Sequence, residues 1–167
     1  MDGTKSISYT GSGDSVIIPS KIDDKPVTNI RYNAFAVCTR LTNVSIPDIV
    51  IIIGNSAFAL CANLTIVTIP DNVTIIDEYA FVNCTRLTSI TIGNGVQHIG
   101  YNVFEGCTSL TSVTFERVDT SFESTGYYSS FIDSSNSSSL QTVYTAGGIG
   151  TYTRPNTSST TWTKTSD

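Results

Sequence analysis

The side chains best suited to chemistry in this chain are four cysteines, Cys38, Cys61, Cys84 and Cys107, and a single histidine, His98. A thiolate beside an imidazole makes a nucleophile with its base, and the same groups in a cluster hold zinc. The stretch NCTRLTSITIGNGVQHIGYNVF, residues 83–104, contains one of each, Cys84 and His98. Spacing argues against both readings. Zinc motifs bring cysteines together in pairs about two to four residues apart, whereas these four are separated by 23 residues at every interval. His98 has no second histidine and no recurring carboxylate beside it, and the chain carries no GxSxG motif and no Gly-rich phosphate loop. The sequence is therefore read as non-enzymatic, with no metal and no cofactor, and its cysteines as buried free thiols.

The interval between the cysteines is the period of the whole chain. Blocks beginning at Ala34, Ala57, Ala80 and Val103 read AFAVCTRLTNVSIPDIVIIIGNS, AFALCANLTIVTIPDNVTIIDEY, AFVNCTRLTSITIGNGVQHIGYN and VFEGCTSLTSVTFER. Phe35, Phe58, Phe81 and Phe104 fall in register, as do the cysteines and Leu41, Leu64, Leu87 and Leu110. Such in-register recurrence is the signature of a stacked repeat, whose units cannot bury their apolar faces alone. Within a block, AFxxCxxL puts apolar residues at i, i+4 and i+7, the spacing of a short helical turn. The next residues alternate with period two, Val44 and Ile46 against Asn43 and Ser45, which is a strand with one buried face. Pro47-Asp48, Pro70-Asp71-Asn72 and Gly93-Asn94-Gly95 then supply a turn in successive blocks. A second extended piece follows, Val50 to Ile53, Val73 to Ile76 and Val96 to Ile99. His98 takes the slot held by Asn29, Ile52 and Ile75 and is expected at the surface; whether that row exposes an apolar strip or turns one of each pair inward stays open.

The ends depart from the period. Upstream, VIIPSKIDDKPVTNI keeps the Ile18-Pro19 and Val27-x-x-Ile30 signals but inserts five residues near Lys21 to Lys25, so a half coil is expected there. Downstream of Arg117, Phe131 and the Leu140 to Val143 segment read as a stretched last coil, with Ser137 in the cysteine slot. The aromatic residues Tyr127, Tyr128, Phe131, Tyr144, Tyr152 and Trp162 are expected to pack as a cap, because a solenoid otherwise leaves its ladder open.

The repeat AFxxCxxLTxVxIPxxVxxIxxx resembles the BspA-like, or Treponema-pallidum-type, leucine-rich repeat, over roughly residues 17–116 and more loosely at VYTAGGIGTYT. The resemblance implies a right-handed solenoid of α/β class, mostly β with short helical turns. It would form a single domain over 1–167: an N-terminal cap or half repeat over 1–33, four repeats over 34–117, and a divergent last repeat with cap over 118–167. It also implies a surface-displayed or secreted binding module, adhesin-like, toward a protein or glycan ligand on host or neighbouring cells, with any secretion signal lying outside this sequence. A structural spacer, with weak self-association of repeats, is the alternative. Of the strand positions, the outward rows Asn43, Ile66, Ser89, Ser112 and Ser45, Thr68, Thr91, Thr114 would line the concave, ligand-binding face.

Charge and composition narrow the partner. Charged residues are 14% of the chain, net charge is −5, and basic residues are scattered singly, so nucleic acid is not expected. No apolar run approaches the ~18 residues of a membrane span. Six sequons begin at Asn43, Asn63, Asn72, Asn83, Asn136 and Asn156; they fall at different repeat positions and follow from an Asn- and Thr-rich composition.

Overall fold

The computed structural model describes residues 14–122 and 137–166. Each repeat contributes one coil with two strands, and like strands stack into parallel sheets. The first coil begins with β1 (Ser15–Ile17), continues through β2 (Lys21–Ile22) and β3 (Lys25–Pro26), and ends in β4 (Asn29–Ile30). Next come β5 (Asn43–Ser45) with β6 (Ile52–Ile53), β7 (Ile66–Ile69) with β8 (Ile75–Ile76), β9 (Ser89–Ile92) with β10 (His98–Ile99), and β11 (Ser112–Phe115) with β12 (Ser121–Phe122). The even-numbered strands β4, β6, β8, β10 and β12 form one parallel sheet. Strands β7, β9 and β11 form a second, and β5 pairs with β1 apart from it.

The five inserted residues fold as the antiparallel hairpin β2–β3, with Lys21 opposite Pro26 and Ile22 opposite Lys25. Asp23 and Asp24 both adopt positive φ, 49° and 59°. Positive φ at both central residues matches the right-handed twist of the flanking strands, and Asp tolerates it better than most residues.

The interior is built from columns that repeat once per coil. Phe35, Phe58, Phe81 and Phe104 are fully buried; their rings stack nearly parallel at 5.0, 5.2 and 5.6 Å between centroids. Leu41, Leu64, Leu87 and Leu110 form a second buried column. The thiols of Cys61, Cys84 and Cys107 each donate to the carbonyl of the phenylalanine one coil back, at 3.1 to 3.2 Å. A small side chain with a weak donor thus fits beneath the turn and satisfies a buried acceptor. The threonines after the leucines do the same at the surface: Thr65, Thr88 and Thr111 hydroxyls donate to the carbonyls of Thr42, Thr65 and Thr88.

The AFxxCxxL segment is compact, as its spacing predicts, but it is a series of tight turns and contains no α-helix. Asn33, Ser56, Tyr79 and Asn102 have φ of 55° to 57°, and four residues later Val37, Leu60, Asn83 and Gly106 have φ of 57° to 71°. Between them the backbone alternates its donors. Ala34 and Ala36 bond three residues back within the turn, while Asn33, Phe35 and Val37 donate to Asn55, Ala57 and Ala59 of the next coil. A continuous helix would direct every N–H inward along its own axis, so the left-handed residues are what free alternate amides to join neighbouring coils. Val37, β-branched at φ 62°, shows how strongly the stack imposes this geometry.

Past β12 the repeat gives way. Residues Ser137–Gly147 form an α-helix, α1, followed by β13 (Gly150–Thr153) and β14 (Thr163–Ser166). The segment Leu140 to Val143, read in the sequence as part of a stretched last coil, lies within this helix. Leu140, Val143 and Tyr144 stand at i, i+3 and i+4, one face of a helix; Leu140 and Tyr144 are buried and Val143 packs on the same core. Strand β13 then runs antiparallel to β11, and β14 antiparallel to β13. Arg154, only 4% exposed, closes this end: its backbone N–H donates to the Thr111 carbonyl at 3.1 Å and its Nε to the Leu110 carbonyl at 2.7 Å. Its guanidinium lies 5.2 Å from the ring centre of buried Trp162. Tyr144 Oη donates to the Arg117 carbonyl at 2.6 Å and Tyr152 Oη to the Gly148 carbonyl at 2.6 Å. Tyr127, Tyr128 and Phe131, also assigned to this end, lie outside the described residues.

Candidate functional site

Strand alternation sends Val67 and Ile69, Ile90 and Ile92, Val113 and Phe115 into the core and leaves Ser, Thr and Ile side chains facing out. Strand register aligns them: Ile66 opposes Ser89, which opposes Ser112, and Thr68 opposes Thr91, which opposes Thr114. Asn43 and Ser45 sit outward on β5, where they oppose Ser15 and Ile17 of β1. The two rows also run further than the repeat pattern indicates, because β13 adds Thr153 opposite Ser112 and Thr151 opposite Thr114. The Thr114 and Thr151 hydroxyls are hydrogen bonded at 2.9 Å. Thr151 and Thr153 escape a repeat-based reading because they arrive on an antiparallel strand outside the period, although the alternating GTYT segment is itself a strand signal.

The outward positions divide into two groups. Asn43, Ser45, Ile66 and Thr68, with Val44, Ile46, Asp48 and Pro70, line a depression of about 410 Å³ between β5 and β7. Ser89, Thr91, Ser112 and Thr114 lie beyond it and are half-buried on a closed sheet. Ile66 is 58% exposed and Ile17, in the row beside Ser45, 80% exposed, so this end of the face carries apolar surface and the other end hydroxyls.

The residues that first suggested chemistry are apart from this face. Cys61, Cys84 and Cys107 are fully buried, Cys38 is half-buried, and all four are free. Burial raises the Cys61 thiol far above its ordinary pKa; the neighbouring Cys107 thiol, and then burial, do the same for Cys84. Such thiols stay protonated at neutral pH and are poor nucleophiles. His98 was expected to be an unconstrained surface position; it is half-buried in β10, with Nδ1 3.2 Å from the Ser121 hydroxyl. Its row is Asn29, Ile52, Ile75, His98 and Ser121, and the neighbours Ile30, Ile53, Ile76 and Ile99 are the ones turned inward. Among the described residues no cluster of three or more His, Cys, Asp or Glu side chains could hold a metal, and no helix is long and apolar enough to cross a membrane.

Comparison with known proteins agrees with this architecture. In fold and sequence the chain is similar to a leucine-rich repeat protein of T. pallidum, with 38% identity and a TM-score of 0.61 over 63% of this chain and 49% of that one. A leucine-rich repeat protein from Bacteroides capillosus is 32% identical, with a TM-score of 0.58 over 69% of this chain and 88% of that one. A leucine rich cell surface protein from Faecalibacterium prausnitzii shares the fold, with a TM-score of 0.57 at 22% identity over 70% of this chain and 38% of that one. The chain spans about half the length of the T. pallidum protein. No curated protein matches it. Six copies of the BspA type leucine-rich repeat region match residues 5–151, so the chain belongs to the BspA-type leucine-rich repeat family.

Proposed function

We propose that the chain is a non-enzymatic binding module, displayed at a cell surface or secreted, that holds a protein ligand on the outward face of β5, β7, β9 and β11 in the manner of an adhesin. The observation that carries this reading is the pair of rows aligned by strand register, Ile66, Ser89 and Ser112 beside Thr68, Thr91 and Thr114, with Asn43 and Ser45 outward on the neighbouring β5, which present an extended surface of exchangeable side chains on a rigid stack. Leucine-rich repeats serve commonly as protein-interaction modules, and solenoids offer such extended faces for that purpose. The rows contain no Tyr, Trp or Arg, the usual anchors of tight interfaces, so the contact is weak or multivalent rather than a single tight lock. Glycan ligands on host or neighbouring cells fit the same hydroxyl-rich surface.

The test is a binding screen of the chain against extracellular-matrix proteins, glycans and the chain itself, together with attachment of cells carrying or lacking the protein. Saturable binding to a matrix protein, with reduced attachment on deletion, is expected. Self-association alone, with unchanged attachment, would assign the chain a spacer role.

A further inference from the structure

The tight turns of the AFxxCxxL segment require a left-handed residue at the same position in successive coils, and the coils fill it differently. Asn83 and Gly106, at φ 57° and 71°, are residue types that suit the conformation. Val37 and Leu60 hold it at φ 62° and 61°, where a Cβ crowds the following carbonyl oxygen and a β-branched residue is an outlier. Neither side chain enters the core: Val37 is 61% exposed and Leu60 45% exposed. The stack explains why the backbone is left-handed there, but not why an apolar side chain occupies the position and faces water. Backbone strain of this kind concentrates at sites whose side chain is needed for contact.

The two residues belong to one ridge. Val37 donates its N–H to the Ala59 carbonyl and Leu60 to the Val82 carbonyl, both at 2.8 Å, so their turns lie side by side, one coil apart. Ala36 and Val82, half-buried, precede the position in the first and third of these turns, and in the fourth Glu105 and Gly106 end the apolar surface. Arg40 follows Val37 by three residues, and Arg86 holds the same place two coils on. Arg40 pairs with Asp14 at 3.2 Å, but with side chains 69% and 65% exposed the pair is largely screened by water. Arg86 donates to the Asn63 side-chain oxygen at 3.1 Å and meets no carboxylate among the described residues. In a chain of net charge −5 this ridge therefore joins two apolar side chains to two guanidinium groups. That arrangement favours an acidic partner, and disfavours a second copy of the same net charge.

We propose that this turn ridge is a second docking surface, separate from the outward strand face, for an acidic amphipathic helix of a protein partner, with its apolar side chains on Val37 and Leu60 and its carboxylates toward Arg40 and Arg86. Spacing favours a helix over an extended segment. Successive coils stand 5.0 and 5.2 Å apart at the phenylalanine rings, which puts the two arginine positions about 10 Å apart, the separation of residues i and i+7 on one helix face. Positions i+3 and i+4 then fall between the carboxylates and present apolar side chains to the ridge. Same-face residues of an extended strand recur at about 7 and 13 Å instead. The inference goes beyond the reading of the outward face and does not rest on it.

The test titrates the whole chain with two labelled alanine-based helical peptides, both with leucine at i+3 and i+4, one with glutamate and one with lysine at i and i+7, at about 50 mM and about 500 mM salt. Saturable, salt-sensitive binding of the glutamate peptide and none of the lysine peptide is expected. Leu60→Asn copies the residue of the next coil, so it should melt close to the original temperature while weakening the peptide about tenfold or more. Arg86→Gln should weaken it up to about fivefold, and Thr68→Lys/Thr91→Lys should leave it unchanged. Failure of the glutamate peptide to saturate, or unchanged affinity in Leu60→Asn, would overturn the proposal. A steep fall in the melting temperature of Leu60→Asn would do so as well, because Leu60 would then serve the fold. Binding of anionic lipid vesicles, or dimerisation of the chain, abolished by Leu60→Asn would give the ridge to a membrane or a second copy and overturn it. Peptide binding lost in Thr68→Lys/Thr91→Lys would place the helix on the strand face, removing the ridge and leaving the wider reading intact.

Discussion

The two halves of the outward sheet share one repeat sequence and differ in closure. From β7 onward each strand is bonded to the next, and the row ends on the β13–β14 hairpin sealed by Arg154. Before β7 the ladder is broken: β5 pairs with β1 and not with β7, and Pro70 lacks the amide that Gly93 and Glu116 supply one and two coils later, as Pro47 does beside β1. A solenoid's stability is close to a sum of nearest-neighbour terms, so one coil boundary can be loosened while the Phe, Leu and Cys columns beneath it continue unbroken. The interior is therefore the shared constraint, and the strand exits are where coils differ.

Perturbing that shared interior should give the largest effect. Cys84→Asp places a charge among fully buried neighbours and should unfold the array, a loss of about 4 kcal/mol or more, read by circular dichroism; a folded variant would show that the two halves do not share one core. Next in size, Arg154→Ala removes donors to the Leu110 and Ser159 carbonyls and the contact with Trp162. A loss of about 2 to 3 kcal/mol is expected, with hydrogen exchange accelerating in β11 and β13 but not in β1 or β5. Uniform acceleration would mean that closure of the far end is felt along the whole stack.

Alkaline pH offers a third probe. Cys61 and Cys84 have pKa values raised above the ordinary 9.0, so the folded state holds their protons after the unfolded chain has released them. Stability from these groups is full below about pH 9 and should fall above it, by up to about 1.4 kcal/mol per pH unit for each thiol. Urea unfolding at several pH values should show the slope, and Cys61→Ala should reduce it. The smallest effect on stability is expected from Pro70→Ala, where a regained hydrogen bond of about 1 kcal/mol is offset by a more flexible unfolded chain. Its signature is local: the new amide at position 70 should exchange as slowly as those of Gly93 and Glu116, making the two halves alike.

Much of this was legible in the sequence because burial repeats with the period. Phe35, Cys38 and Leu41 and their successors are held to one chemistry by the neighbour above and below, and the 23-residue spacing exposes that constraint. The left-handed turns were not legible, since Ser56, Tyr79, Val37 and Leu60 carry no preference for positive φ and are forced there by bonds to the next coil. Helix α1 was misread by extending the repeat template over Leu140 to Val143, when the spacing of Leu140, Val143 and Tyr144 was helical. Of the outward face, the rows were readable from alternation; the gap was not, because Pro47 and Pro70 look identical until their partners across the sheet are known. Thr151 and Thr153 joined the rows only through an antiparallel pairing that no repeat encodes.

The central claim, that the outward strand face is the binding surface, is tested most directly by Thr68→Lys/Thr91→Lys. Both positions face outward, so the variant should melt close to the original temperature, while binding to the matrix protein found in the screen should fall by about tenfold or more. Unchanged affinity in the folded double variant would contradict the account and move the binding surface to the turns or to the end built from β13 and β14.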